Sequence, residues 1–222
     1  MQNWKQYLAE LLGTFVLVFV GAGTIVAYET FSTPNLLGVA LAHGLALMVI
    51  VYTFAHISGA HVNPAVTLAM LATQKMKLRD AALYILSQLI GSVIAAAALK
   101  LMFLDLLATQ YGTPSLAGGV SVASGLIAEA IMTFVLVWVI FSVAVDQENT
   151  RSNVAGVAIG GTLAGNVLVG AVLTGAALNP ARWFGPALIS NVWENWYVYL
   201  IGPVVGGLLA GLLYQLLLLK KK

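Results

Sequence analysis

Six stretches of the chain, 7–28, 36–55, 81–104, 121–144, 154–173 and 196–219, are predominantly apolar over twenty residues or more. An α-helix needs about 20 such residues to cross the hydrocarbon of a bilayer, so each stretch predicts a membrane span. Shorter apolar segments follow the second and fifth spans. They open at Asn63-Pro64-Ala65, within HISGAHVNPAV, and at Asn179-Pro180-Ala181, within LTGAALNPARWFGP. Asn followed by Pro is a helix-start signal. The Asn side chain caps exposed N–H groups, and Pro at the first helical position gives up only an N–H that had no partner. The pattern predicts an all-α membrane protein with six transmembrane helices and two re-entrant half-helices.

The halves, about 1–110 and 120–222, match one another within a single transmembrane domain spanning 1–222. AELLGTFVLVFV at 9–20 aligns with AEAIMTFVLVWV at 128–139, with eight of twelve positions identical. GVAL from Gly38 pairs with GVAI from Gly156, and Gly91-Ser92 falls opposite Gly206-Gly207. With three spans per half, the second copy enters the membrane from the opposite side, which is an inverted repeat.

Composition narrows the class. Of 222 residues, 60% are hydrophobic and 8% charged, against about 25% charged in an ordinary soluble domain. The net charge of +2 is small and scattered, which excludes a nucleic-acid partner. Without cysteine there is no disulfide, thiolate metal site or cysteine nucleophile. No metal cluster, phosphate loop or other cofactor signature appears, and no nucleophile–base set that would make an enzyme. The first apolar stretch lacks a small-residue cleavage site and reads as a retained span.

Lys5, Lys75, Lys77, Arg79, Arg151 and Lys220–Lys222 all fall on one side of a six-span topology. The excess of Lys and Arg marks that side as cytoplasmic, with both termini on it. The opposite loops carry Glu29, Asp105 and Glu194, with Lys100 at a span end. The short tails and loops point to the inner membrane of a prokaryote. Gly207 with Gly211, and Gly91, Ser92, Ala95 and Ala96, form small-residue faces that let helix backbones approach closely.

Two half-helices meeting N-terminus to N-terminus direct two positive dipole ends at one point. Irregular backbone leading into them is tolerated in a membrane only where it lines a water-filled path. The carbonyls of Gly59, Ala60, Gly175 and Ala177 are therefore expected as acceptors along that path, with the Asn63 and Asn179 amides as donors at its centre. A water between them points its oxygen at the amides, an orientation that opposes proton relay and cation passage.

On ISGAHVNPAV, NPAR, the Ala-Glu pair early in each half and the six-span repeat, the chain resembles the aquaporin, or major intrinsic protein, family over practically its full length. The run AHGLALMVIVYTFAHISGAHVNPAVTLAM looks most like the tonoplast group. The resemblance implies a homotetrameric channel for water and small neutral solutes, with one pore per subunit. Arg182, a charge inside a membrane segment, is a functional-site candidate in its own right. In the family it forms a constriction with partners that fall here on His43, Val167 and Ala176. Strict water channels tend to have Phe and His where this chain has His43 and Val167. Glycerol facilitators have Asp where Trp183 follows Arg182. The set here resembles tonoplast channels implicated in water and ammonia passage. Leu200 stands where many water channels have Trp, a hint of broader selectivity.

His61 is expected along the cytoplasmic half of the pore, as its family counterpart is, and His56 to brace the loop by hydrogen bonds. Glu10 and Glu129, at matching positions within spans, are expected to accept hydrogen bonds from the two Asn-Pro-Ala loops. As a midplane relay they would instead serve an ion-coupled transporter. The leading expectation is passive conduction of water and small neutral solutes, with a glycerol or polyol facilitator as the alternative.

Overall fold

The computed structural model describes residues 4–103, 110–146, 148–149 and 152–219. It holds six long apolar helices and two short ones, with no strand among the described residues. The long helices are α1 (Trp4–Thr30), α2 (Leu36–Ser58), α4 (Leu78–Met102), α5 (Val122–Ile140), α6 (Ala155–Thr174) and α8 (Trp196–Leu217). The half-helices are α3 (Pro64–Ala72) and α7 (Pro180–Ser190). Arg151 and Lys220–Lys222, used above for orientation, lie outside the described residues, as do Asp105 and the predicted span end at 104.

Local chemistry sets the helix ends. The Asn35 side chain accepts from the Gly38 N–H at 2.8 Å and opens α2. Ser121 accepts from the Ser124 N–H at 3.1 Å and opens α5. Gly59 and Gly175, at φ 86° and 78°, close α2 and α6 in the left-handed conformation that glycine adopts without steric cost. The second span thus runs to Ser58, three residues past the predicted 55, because its stop signal is Gly59. The fourth span ends in a π-helical turn, Phe141–Val145, which the hydropathy pattern did not distinguish from α-helix.

Helix packing follows the inverted repeat. A Cβ on Gly91 would lie 2.2 Å from the Leu11 carbonyl oxygen, and one on Gly206 would lie 2.0 Å from that of Ala130. These contacts seat α4 on α1 and α8 on α5. Between the halves, Gly44 and Gly160 meet reciprocally: a Cβ on either would approach the other's carbonyl to 2.6 or 2.4 Å. Counted back from their glycine caps, α2 and α6 therefore pair at an offset of 116. GVAL and GVAI, at 118, are out of structural register. Each half-helix also packs on the last span of the opposite half, α3 on α8 and α7 on α4. Outward faces are apolar, as at Leu37, Leu41, Leu45 and Val49 on α2. Buried positions include Glu10, Gln88, Glu129 and Arg182, an inversion suited to lipid as the outer solvent.

Because Gly206 meets backbone rather than a flexible side chain, Gly206→Ala must part α5 from α8. Overpacking of this kind costs about 1–3 kcal/mol. Thermal unfolding in detergent, followed by size-exclusion after heating, should show a midpoint lowered by several degrees. Gly118→Ala, with nothing within 4 Å of the added carbon, should leave it unchanged.

Candidate functional site

The segments entering the half-helices are strained in the same way. Ala60 and Val62 take φ of 49° and 43°, and Ala176 and Leu178 take 49° and 53°. Left-handed non-glycine residues cost about 1–3 kcal/mol each and persist only where surroundings over-determine them. Here two buried carboxylates do so. Glu10 Oε1 accepts from Ser58 Oγ at 2.7 Å and the His61 N–H at 2.9 Å, and Oε2 accepts from the Val62 N–H at 2.7 Å. Glu129 Oε1 accepts from Thr174 Oγ1 at 2.6 Å and the Ala177 N–H at 2.9 Å, and Oε2 from the Leu178 N–H at 2.7 Å. The Ser58 and Thr174 hydroxyls in turn accept from the Ala60 and Ala176 N–H groups at 3.0 and 3.1 Å. Three consecutive loop N–H groups are thereby satisfied in each half.

Those loops meet at two asparagines, each of which works twice. Asn63 Oδ1 caps α3 by accepting from the Ala65 N–H at 2.8 Å, while its Nδ2 donates to the Leu178 carbonyl at 2.9 Å. Asn179 Oδ1 caps α7 through the Ala181 and Arg182 N–H groups at 2.9 and 3.2 Å. Its Nδ2 donates to the Val62 carbonyl at 2.7 Å. Pro64 and Pro180 occupy the first helical positions beside them. An amide nitrogen carries two N–H groups, so each Asn keeps one donor beyond this crossed pair. Both side chains line a cavity of about 480 Å³. Of the four amide N–H groups on the two residues, two tie the loops together.

That cavity runs from Lys75 and the π-turn residues Val143–Val145, on the face where α1 begins and α8 ends, to His43 and Arg182. Gly59, Ala60, His61 and Ala177 line it too. A second cavity, about 790 Å³, lies beyond and is lined by Glu29, Val39, Gly112, Ala171 and Gly175 among others. Between the two lies a short level at which residues of α6 and the second loop line neither cavity. On α6, Leu163 lines the first cavity and Ala171 the second, and Val167 lies midway on the same helical stripe. On the loop, Gly175 and Ala177 take the two sides and Ala176 falls between. Val167 and Ala176 line neither cavity and are buried.

At the end of the first cavity, His43 Nδ1 donates to the Val39 carbonyl at 2.9 Å, which leaves Nε2 as an acceptor 3.3 Å from Arg182 Nη2. Arg182 Nη1 donates to the Gly112 carbonyl at 2.7 Å. The arrangement fixes a guanidinium against an imidazole at one end of the first cavity.

The family model for "Major intrinsic protein" matches residues 1–214. The chain belongs to that family. It is 39% identical over 217 residues to Aquaporin TIP4-4 of Zea mays, covering 95% of this chain and 85% of the relative. Aquaporin-4 of Mus musculus is 36% identical over 218 residues, covering 96% and 67%. The X-ray structure of the aquaglyceroporin from Plasmodium falciparum superposes with a TM-score of 0.86 at 24% identity, over 97% of both chains, and shows the fold. The protein is thus a multi-pass channel protein of a passive channel family. These relatives lend no support to a prokaryotic inner membrane.

Two sequence expectations fail on placement. The His56 side chain is exposed and has no hydrogen-bond partner among the described residues. Leu200 is exposed on the outer face of α8 and lines neither cavity, so it bears on no selectivity argument. His61 Nδ1 lies 3.2 Å from Thr67 Oγ1, and its ring packs on Tyr84. Sequence reasoning missed Gln88, whose Nε2 donates to Glu10 Oε2 at 2.7 Å and Thr67 Oγ1 at 3.0 Å. A glutamine inside an apolar span was the available signal. It also missed Ser58 and Thr174, which precede Gly-Ala in both loops, and Gly112, for which the sequence holds no cue linking it to Arg182.

Glu129→Gln replaces an acceptor oxygen with a donor opposite a group that is itself a donor. A buried donor left unpaired costs about 1–3 kcal/mol. The variant should unfold several degrees earlier in detergent and lose water flux per assembled protein; an unchanged midpoint would show that Glu129 does not hold the loop.

Proposed function

We propose that this channel conducts water in single file, admits neutral ammonia, and excludes protons and ions, as a homotetramer with both termini cytoplasmic. The crossed asparagine pair carries the reading. Two half-helix N-termini meet there, each bringing a positive dipole end, and each Asn keeps one amide N–H toward the passage. A water at this point offers its oxygen to both amides and turns its hydrogens toward the carbonyls on either side, so no proton wire crosses the junction. Arg182 adds a fixed charge that repels ammonium and other cations. The loop carbonyls of Gly59, Ala60, Gly175 and Ala177, with His61 toward the cytoplasmic side, supply acceptors along the route.

A polyol facilitator is the second reading, favoured by the mixed wall of the proposed constriction. His43 and Arg182 are polar, whereas Val167 and Ala176 are apolar, a division that also suits a molecule with hydroxyls on one edge and carbons on the other. Coupled transport has less support, because Glu10 and Glu129 already accept three or more hydrogen bonds each.

Stopped-flow light scattering on proteoliposomes tests the reading. Water flux should far exceed that of empty liposomes, while an enclosed pH-sensitive dye should equilibrate no faster under a pH gradient. Rapid dye equilibration overturns proton exclusion. Glycerol flux comparable with water flux decides for the facilitator. His43→Phe, which removes the acceptor and adds bulk at the proposed constriction, should reduce ammonia flux more than water flux. Equal losses would mean that His43 does not set selectivity.

A further inference from the structure

Along α1, the stripe that follows the two cavities carries a glycine between two aliphatic residues. Leu17 lines the first cavity and Ile25 the second. The residue midway between them on the same stripe is Gly21. A Cβ on Gly21 would lie 2.5 Å from Nε2, 2.6 Å from Cδ2 and 2.9 Å from Cε1 of His43. The imidazole therefore rests edge-on against bare α1 backbone. The next residue, Ala22, supports the other polar member of the constriction. Gly112, at φ 69°, lies so close that its own Cβ would come within 2.8–2.9 Å of the Ala22 carbonyl oxygen, Cα and Cβ. The carbonyl of Gly112 is the one that holds Arg182 Nη1.

The inverted repeat supplies an internal comparison. At the offset of 119 that joins Glu10 to Glu129, Gly21 corresponds to Ile140. At the α2–α6 offset of 116, His43 corresponds to Ile159. Ile140 and Ile159 both line the first cavity. Where one half has two large side chains facing the path, the other has a glycine and an imidazole that fills the glycine's space. The volume taken by His43 is the volume that Gly21 lacks.

We propose that Gly21-Ala22 is a positioning platform that sets the aperture of the constriction without touching the permeant: Gly21 seats His43, and Ala22, through Gly112, seats Arg182. This rests on the reading of His43 and Arg182 as the selectivity level. A methyl at Gly21 has backbone behind it and must drive the ring away from α1, out of its Val39 and Arg182 contacts and into the passage.

The test is a double-mutant cycle on proteoliposomes, with wild type, Gly21→Ala, His43→Ala and the double variant, and flux normalised to assembled protein. If wild type conducts no water, the channel reading itself fails; the platform is judged only from ratios between variants. Gly21→Ala should lower water and ammonia flux by at least about twofold, the effect of a coupling at the low end for residues in contact. In the His43→Ala background the same methyl meets no ring and should change flux little. Gly118→Ala should match wild type. An equal loss in both backgrounds, or no loss in either, overturns the proposal. Should Gly21→Ala fail to assemble, the double variant decides: recovered assembly supports the contact with His43, and continued failure overturns it.

Discussion

Backbone inside a bilayer cannot leave its N–H groups without partners, because lipid offers none. The loops at 59–62 and 175–178 break helical pairing at depth and include left-handed residues such as Val62, a β-branched residue for which that conformation is a true outlier. Glu10 and Glu129 answer the constraint. Each carboxylate, with a hydroxyl from Ser58 or Thr174, takes three consecutive loop N–H groups. Removing the donors from competition leaves the loop carbonyls as the open polar groups of the segment. The path between the half-helices follows from where those donors are sent.

The crossed asparagines join the two solutions. Each must accept, to cap its own half-helix, and donate, to hold the opposite loop. Asp or Ser could cap a helix, but neither offers an amide N–H pair. A second amide N–H remains on each residue, at the one point where both helix dipoles are positive. Under the proposed function, structural support and the orientation of a permeating water draw on the same two amides. A change there would disturb the fold and the passage together.

Much of this was legible in the sequence, since apolar length fixes spans and Asn-Pro fixes helix starts, both local properties. The matching positions of Glu10 and Glu129 in the Ala-Glu pair of each half made their pairing with the loops readable as well. Register between α2 and α6 was not, because GVAL and GVAI look alike at an offset of 118 while the glycine caps, which end the helices, impose 116. Gly112 was invisible for a different reason: an outer turn and Arg182 are 70 residues apart, and no periodicity connects them. Leu200 misled because a family position was carried over without knowing which face of α8 it occupies. The role of Gly21 was hidden in the same way, since what matters is a missing side chain opposite a ring on another helix.

Symmetry also shows how little separates the two ends of the route. At the offset of 116, Ala176 corresponds to Ala60, Val167 to Val51, Arg182 to Val66 and His43 to Ile159. Ala60, Val51, Val66 and Ile159 all line the first cavity. All four are apolar, whereas two of their counterparts, His43 and Arg182, are polar. Two of the four positions keep their residue type, and the other two exchange an aliphatic chain for a cationic or imidazole one. Burying that polar pair requires partners: Val39 and Gly112 supply carbonyls, and His43 and Arg182 face each other. It also requires room, which Gly21 supplies where its counterpart is Ile140. An inverted repeat with near-equal halves thus acquires two chemically different ends through a few substitutions, while the carboxylates and asparagines that hold the loops remain paired across the repeat.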